Sequence, residues 1–135
     1  MNNSMENFIK FLDAKGVKYS TVDDKSMKIT YGGKNVPSIT VAFVFGDDCK
    51  DVQMAAFSIV NVPEEKRPEM YRVCSENNKA YRWVKFYLDK DSDLTAECDA
   101  VIRPETCGEE CFELLLHMIS IVDKAYPSFM KALWA

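Results

Sequence analysis

The chain has 135 residues, of which 47% are hydrophobic and 28% charged, and its formal net charge is -4. This length supports one ordinary hydrophobic core, so we expect a single globular domain over residues 1–135. The mild negative charge, without a basic stripe, argues against nucleic acid or an anionic membrane as a partner.

The N-terminal segment and the cysteines predict a cytoplasmic protein. The segment MNNSMENFIKFLDAKG lacks the basic and apolar regions of a secretory signal. No apolar run approaches the roughly 20 residues that a membrane-spanning helix requires. An odd number of cysteines without a CxxC motif favours reduced thiols. They are Cys49, Cys74, Cys98, Cys107 and Cys111.

An amphipathic helix opens the chain. Ser4 is a candidate N-cap, and Gly16 suits the left-handed position that follows a helix. Between them, apolar residues recur at helical spacing. The pattern predicts a helix from about Met5 to Lys15.

Four strands are predicted next. They cover Val17 to Val22, Met27 to Tyr31, Ile39 to Phe45 and Val52 to Val62. The second alternates apolar and polar residues, as a half-buried strand does, whereas the third, ITVAFVF, is apolar on both faces. We therefore expect the third strand to be central and covered on both sides.

The second predicted helix follows Pro63. Its acidic start suits the positive end of the helix dipole. Because Pro68 fits only in the first turn, the regular helix can begin as late as Arg67. Asn77 and Asn78 predict its end, since asparagine tolerates left-handed backbone and bonds to local backbone groups.

A long β-hairpin comes after that helix. Apolar residues alternate on both of its arms, and the aspartate-rich stretch from Asp89 to Asp93 forms the loop. This loop pairs core residues with core residues and opposite charges with each other. The register places Lys85 opposite Glu97, Tyr87 opposite Thr95 and Trp83 opposite Asp99.

The third helix carries a long apolar stripe after a candidate cap at Thr106. Pro127 is expected to interrupt it, and a short terminal helix with Phe129 and Trp134 is expected to fold back onto the domain. The element order is then α-β-β-β-β-α-β-β-α. This order predicts an α+β fold with an antiparallel sheet of about five or six strands and helices packed on it.

Three stretches resemble one bacterial family. They are the ENN helix end, the KFYLDKDSDLTAECDAVI hairpin and the apolar helix that closes in DKAYPSF. Together, over Tyr71 to Phe129, they look like YbjN-like domains. The resemblance implies an α+β domain with a curved antiparallel sheet, often dimeric and close in fold to the type III secretion chaperones. It also implies a regulator of sensory transduction without catalytic residues.

The aspartates of the hairpin loop have the opening spacing of an EF-hand calcium loop. However, Leu94 and Ala100 stand where that loop needs its glycine and its bidentate glutamate. We interpret the segment as a turn whose aspartates bond to local backbone. No metal site is predicted.

Catalysis is not predicted either. Cys107 and Cys111 share a helical turn, and Glu113 precedes His117 by another turn. A thiolate metal site needs about four ligands, and a Cys-His nucleophile needs an oxyanion hole and an orienting group. The sequence supplies neither set, so we expect no enzyme activity and no cofactor.

Two apolar surfaces are candidates for contact with other molecules. The outer face of the hairpin is the predicted partner-binding surface, with Tyr81, Trp83, Lys85 and Tyr87. A second apolar line on the third helix is predicted to pack against the tail or against a second copy of the chain, and a homodimer is expected to use either this line or the outer face of the hairpin. Its residues are Leu114, His117, Ile121 and Trp134.

These observations favour a non-enzymatic protein-binding or regulatory module, chaperone-like in fold and belonging to an unidentified pathway. The alternative is a small-molecule sensor or enzyme with a pocket between the sheet and the helices. A third interpretation is the holding of unfolded segments at an exposed strand edge.

Overall fold

One six-stranded antiparallel sheet carries three helices. The computed structural model describes residues 1–135. Its elements are α1 (Asn3–Lys15), β1 (Ser20–Thr21), β2 (Ser26–Tyr31), β3 (Ile39–Phe45), β4 (Asp51–Ala56), a 3₁₀ turn (Glu64–Lys66), α2 (Arg67–Ala80), β5 (Lys85–Leu88), β6 (Leu94–Val101) and α3 (Cys107–Trp134). The strands lie in the order β1-β2-β3-β4-β6-β5, and every neighbouring pair is antiparallel. The predicted fold class and element order are confirmed.

The helices share one core with a single face of the sheet. Phe8 of α1 packs on Phe43 of β3, with ring centroids 5.0 Å apart, and Phe129 of α3 packs on Phe86 of β5 at 4.9 Å. The strand register puts Phe43 and Phe86 on the same face, and the buried residues of α2 join the same cluster. Both faces of β3 were expected to be covered, and this is wrong. Thr40 is exposed on the opposite face, where no helix lies.

The hairpin register is confirmed where the two strands pair. Lys85 lies opposite Glu97 and Tyr87 opposite Thr95. The third predicted pair, Trp83 with Asp99, does not form, because Trp83 precedes β5 and has a positive φ of 74°.

Pro127 does not interrupt α3, which runs as one helix of 28 residues. Proline cannot donate to the carbonyl four residues earlier, here that of Asp123. That carbonyl instead accepts a hydrogen bond from Asn35 Nδ2 at 3.1 Å. The prediction of a separate terminal helix that folds back onto the domain is therefore also wrong. Phe129 lies in the core as part of α3, whereas Trp134 is 79% exposed.

The side chain of Asp123 holds the loop between β2 and β3 against α3. Its Oδ1 atom accepts the backbone N–H groups of Asn35 (2.8 Å) and Val36 (3.0 Å). These bonds, first that from Asn35, lower the pKa of Asp123, although partial desolvation opposes them. The loop in turn buries Val36 in the core.

Several predicted boundaries shift. Asn2, not Ser4, caps α1 by accepting from Met5 N–H at 3.1 Å, while Ser4 is buried and donates to Cys49 O at 2.6 Å. β4 ends six residues before the predicted Val62, near a positive φ of 54° at Ser58.

The asparagines lie in the last turn of α2, which ends two residues later, at Ala80. Asn77 stays helical and buried, and it donates to Val73 O at 2.9 Å. A polar residue expected to stop the helix thus satisfies its own amide within the preceding turn.

Replacement of Gly108 by alanine tests the close contact between α1 and α3. A Cβ atom at position 108 would lie 2.8 Å from Phe11 Cβ. Alanine favours a helix over glycine by about 1 kcal/mol, but overpacking costs about 1–3 kcal/mol. We expect Gly108→Ala to lower the free energy of unfolding by up to about 2 kcal/mol in urea denaturation.

Gly16→Ala is the matched control. Gly16 has a left-handed φ of 72°, and an added Cβ would meet nothing within 4 Å. Its cost should be that of the backbone alone, about 1–2 kcal/mol. A Gly108→Ala protein more stable than the wild type would contradict the close packing of α1 and α3.

Candidate functional site

A cleft of about 420 Å³ lies between the last residues of β6 and the first half of α3. We call it the Trp83 cleft. Its lining residues are Trp83, Asp99, Ala100, Val101, Ile102, Glu110, Glu113, Leu114 and His117. The helix contributes four of these at positions i, i+3, i+4 and i+7, which lie on one face of an α-helix.

Trp83 forms one wall of the cleft from a strained turn. Its φ is 74°, and Val84 N–H donates to Arg82 O at 2.8 Å, which closes a γ-turn around it. A bulky side chain at positive φ costs about 1–3 kcal/mol. The indole is nevertheless 50% exposed. The fold therefore holds a large aromatic ring at the surface in an unfavourable backbone conformation.

Two neighbouring side chains orient the Trp83 ring. The His117 ring stacks on it with centroids 5.4 Å apart and planes 20° apart. The Arg82 guanidinium carbon lies 5.0 Å from its centroid, a distance at which a cation–π attraction operates. Trp83, predicted to bind a partner, thus contacts His117, predicted to lie in the dimer or tail-packing line of the third helix.

The outer edge of β5 is occupied by a side chain of the same molecule. Asn78 Oδ1 accepts from Phe86 N–H at 2.7 Å, and Asn78 Nδ2 donates to Phe86 O at 3.0 Å. An amide that pairs in this way replaces a neighbouring strand and blocks the edge. Since the main chain of Phe86 points outward, that of Lys85 and Tyr87 points toward β6.

β6 extends past the end of β5 and leaves part of its own edge open. β5 pairs with β6 only as far as Glu97, while β6 continues to Val101. On the other side, Ile102 N–H donates to Lys50 O at 2.9 Å. Main-chain groups alternate in direction along an antiparallel strand. The N–H and C=O groups of Asp99 and Val101 therefore point away from β4, into the space that β5 leaves empty.

The Trp83 cleft is acidic. Its lining includes the carboxyl groups of Asp99, Glu110 and Glu113 and no lysine or arginine. Partial desolvation, a hydrogen bond to Glu97 and the charges of Glu97 and Asp51 raise the pKa of Asp99 to about 6. The lining thus provides negative charge for a cationic group to neutralise.

Glu97 sits beside Asp99 on the open face of the sheet. Desolvation opposes its ionisation, but hydrogen bonds, led by that from Tyr87, lower the pKa of Glu97. The Tyr87 hydroxyl donates to Glu97 Oε1 at 2.7 Å, and this bond raises the pKa of Tyr87 to about 12. Glu97 therefore stays ionised beside an Asp99 that ionises late.

The four residues of the predicted partner surface do not lie together. Only Trp83 lines the cleft. Lys85 Nζ donates to the carbonyls of Asn78 (2.8 Å) and Tyr81 (2.7 Å), so it caps the end of α2. Tyr81 is half-buried at that end of α2. Tyr87 is 40% exposed, and its hydroxyl group is hydrogen-bonded to Glu97.

The second predicted set is also divided. Leu114 and His117 line the Trp83 cleft, whereas Ile121 is buried in the core of its own chain. Trp134 lies elsewhere, in a shallow depression beside Lys66. Sequence reasoning missed the open residues of β6 and Glu110. The helical spacing that joins Glu110 to Leu114 and His117 was the available signal.

The hairpin loop is a turn held by its own carboxylate, as interpreted from the sequence. Asp89 Oδ1 accepts the N–H groups of Asp91 (2.9 Å) and Asp93 (3.0 Å), and Oδ2 accepts from the Thr95 hydroxyl at 3.2 Å. No group of three or more His, Cys, Asp or Glu side chains is placed to hold a metal ion.

The two thiols of the third helix are buried in the core. Cys107 Sγ donates to Ser4 O at 3.2 Å. A hydrogen bond with Cys111 lowers the pKa of Cys107 and raises that of Cys111. All five cysteines are free. None of the helices combines the length and hydropathy needed to cross a bilayer.

Comparison with known proteins identifies one family. The model of the YbjN family, described as "Putative bacterial sensory transduction regulator", matches residues 4–130. The solved structure described as "Crystal structure of YbjN, a putative transcription regulator from E. coli" superposes with a TM-score of 0.65 at 12% identity and covers 92% of each chain. At that identity the superposition demonstrates a common fold. No curated protein matches the sequence.

The carboxyl pair on β6 predicts a distinctive pH dependence. Because the pKa of Asp99 rises from 3.8 to about 6 on folding, the folded state holds more protons between those values. The Asp99 contribution to stability should therefore decline as pH rises from about 4 to about 7. Urea midpoints measured across this range should fall with rising pH in the wild type, and Asp99→Asn should lack the part of that fall that Asp99 contributes.

Asp91→Asn is the control for this measurement. Asp91 is exposed in the hairpin loop, so its removal deletes the same charge away from Glu97. Its pH profile should run parallel to that of the wild type. Superimposable profiles for Asp99→Asn and Asp91→Asn would contradict the coupling between Glu97 and Asp99.

Proposed function

This chain belongs to the YbjN family, and from that premise we propose that it is a non-enzymatic regulatory module that binds another protein at the Trp83 cleft. The observation that carries the proposal is the half-exposed Trp83, held over the cleft at positive φ. Strained residues persist where the surrounding structure over-determines them, and such residues cluster at ligand clamps. Tryptophan is also prominent among the residues that dominate binding energy at protein interfaces.

The chemistry of the lining supports binding over catalysis. The cleft has no serine, threonine or cysteine among its lining residues, and its histidine is stacked on Trp83. Acyl transfer through a hydroxyl or thiol nucleophile would need such a group beside a base. We keep the cytoplasmic location, expected from unpaired cysteines, as part of the proposal.

A small-molecule sensor is the second candidate. The cleft volume of about 420 Å³ falls in the range of small-ligand sites, about 300–1,000 Å³. Such sites enclose most of their ligand, whereas this cleft is open along β6. The openness favours a partner that continues beyond the cleft.

Affinity capture followed by reconstitution tests the proposal. Tagged wild-type protein, Trp83→Ala and Trp134→Ala are used to capture partners from the native host, and each captured protein is then purified and titrated directly. Loss of a central tryptophan typically costs at least about 2 kcal/mol, roughly a 30-fold rise in Kd. We expect this rise for Trp83→Ala.

Trp134→Ala is the matched control, because Trp134 is another exposed tryptophan that lies outside the cleft. Its Kd should equal that of the wild type. Circular dichroism establishes that both variants are folded. Equal Kd values for Trp83→Ala and wild type with every purified partner would show that the Trp83 cleft does not bind them, and would refute the proposal.

We also retain the homodimer, now on the open face of the sheet. The helix line predicted for it has Ile121 in the core, whereas Val44 is half-buried on the sheet face that no helix covers. Light scattering at high micromolar concentration should give twice the monomer mass. Val44→Asp should give the monomer mass, because a carboxylate would be desolvated in that interface.

Leu116→Asp is the control for the dimer. Leu116 is 50% exposed on α3, so its replacement adds the same charge on the helical side. It should leave the dimer intact. A monomeric wild type would overturn the homodimer, and loss of the dimer only in Leu116→Asp would move the interface to α3.

A further inference from the structure

The open segment of β6 and the Trp83 cleft form one surface. Asp99 and Val101 present unpaired main-chain groups beside an aromatic wall and an acidic helix face. We propose that this surface binds an extended, basic segment of the partner protein, which adds to β6 as a short antiparallel or parallel strand. The inference rests on the proposed function and specifies the chemistry of the bound segment.

Main-chain pairing supplies the first part of the recognition. Each outward-facing residue of β6 offers one N–H donor and one C=O acceptor to an added strand. Val101 is 78% exposed, so nothing in the chain covers this position. The γ-turn at Trp83 prevents β5 from occupying the place itself. Strand addition of this kind draws its affinity from main-chain hydrogen bonds.

The two faces of the added strand meet different surroundings. Side chains that alternate toward α3 meet Trp83, Leu114 and His117, which suit aliphatic stems. A residue on the opposite face lies beside Asp99, because directly opposed residues share one face of a sheet. Lysine or arginine there pairs with the carboxylate.

Charge selects a basic segment over a second copy of this chain. Self-association through β6 would bring two sets of Asp99, Glu110 and Glu113 together in a molecule whose net charge is -4. Like charges brought together in such an interface oppose the association. A basic residue of the segment instead pairs with Asp99, and the carboxylates of Glu110 and Glu113 add to the electrostatic attraction. The aliphatic side chains on the other face of the segment can pack against the Trp83 ring.

The test uses Trp134→Phe, which leaves Trp83 as the single tryptophan reporter. The probe is a blocked peptide of about six residues, the usual strand length, with alternating lysine and valine. We expect its titration to change the Trp83 fluorescence. Amide hydrogen exchange followed by NMR should slow at Asp99 and Val101, whose N–H groups then become hydrogen-bonded.

Two altered peptides separate charge from main-chain pairing. A peptide with glutamate in place of lysine should bind at least tenfold more weakly, because it adds negative charge to the cleft. A peptide N-methylated on the residues that face β6 should also lose at least tenfold, because it lacks the paired donors. If the acidic peptide binds as tightly as the basic one, charge does not select the segment. If the N-methylated peptide binds as tightly as the unmethylated one, strand addition is refuted.

Val101→Pro removes the donor from the protein side. Its N–H points away from β4, so the ladder to β4 should survive. We expect at least a tenfold loss of peptide affinity, with Val101→Thr as the control that keeps the donor. If Val101→Pro does not fold, the N-methylated peptide still decides the question.

The outcomes distinguish this inference from the proposed function. A purified partner that depends on Trp83, with no peptide protection at Asp99 or Val101, would refute the strand addition alone. Equal partner affinity for wild type and Trp83→Ala would refute the proposed function. Protection of these amides by a second copy of the protein, without peptide, would assign the surface to self-association and overturn the inference.

Discussion

The packing of all three helices against one face of the sheet is the interaction on which the rest of the structure depends. Apolar burial contributes about 25 cal/mol per Å², and here it is concentrated where α1 and α3 meet β3 and β5 through Phe8 and Phe129. Because α3 must reach that core from the end of β6, it crosses beside the strand and leaves a gap. The Trp83 cleft is that gap.

Local patterns predicted the parts of the fold in which neighbouring residues decide the outcome. The Lys85–Glu97 and Tyr87–Thr95 pairs followed from alternation and loop length, and both were confirmed. Pro127 was misread because the hydrogen bond that it forfeits is replaced by Asn35, which lies 88 residues from Asp123 in the chain. No local rule contains that partner.

The candidate site was predictable only in pieces. Trp83 and His117 were each selected from the sequence, but for different surfaces, and their stacking depends on how α3 crosses β6. The turn at Trp83 follows from the end of α2. Lys85 bonds to the carbonyls of Asn78 and Tyr81, so the strand must start beside the helix that it follows, and the chain has to reverse in between. The alternating pattern alone predicts a strand there, because it contains no information about the hydrogen bonds from Lys85 to the end of α2.

Asn78 limits the association of one molecule with the next through the edge of this sheet. Open strand edges allow one molecule to template the next, and this is the route to fibres. Here the side-chain amide of Asn78 seals β5 at Phe86, and the strand at the far end of the sheet, β1, spans only two residues. The pairing that we propose at β6 is therefore confined to the gap that β5 leaves beside that strand. Because the gap borders one short stretch of β6, it has room for one such segment per protomer.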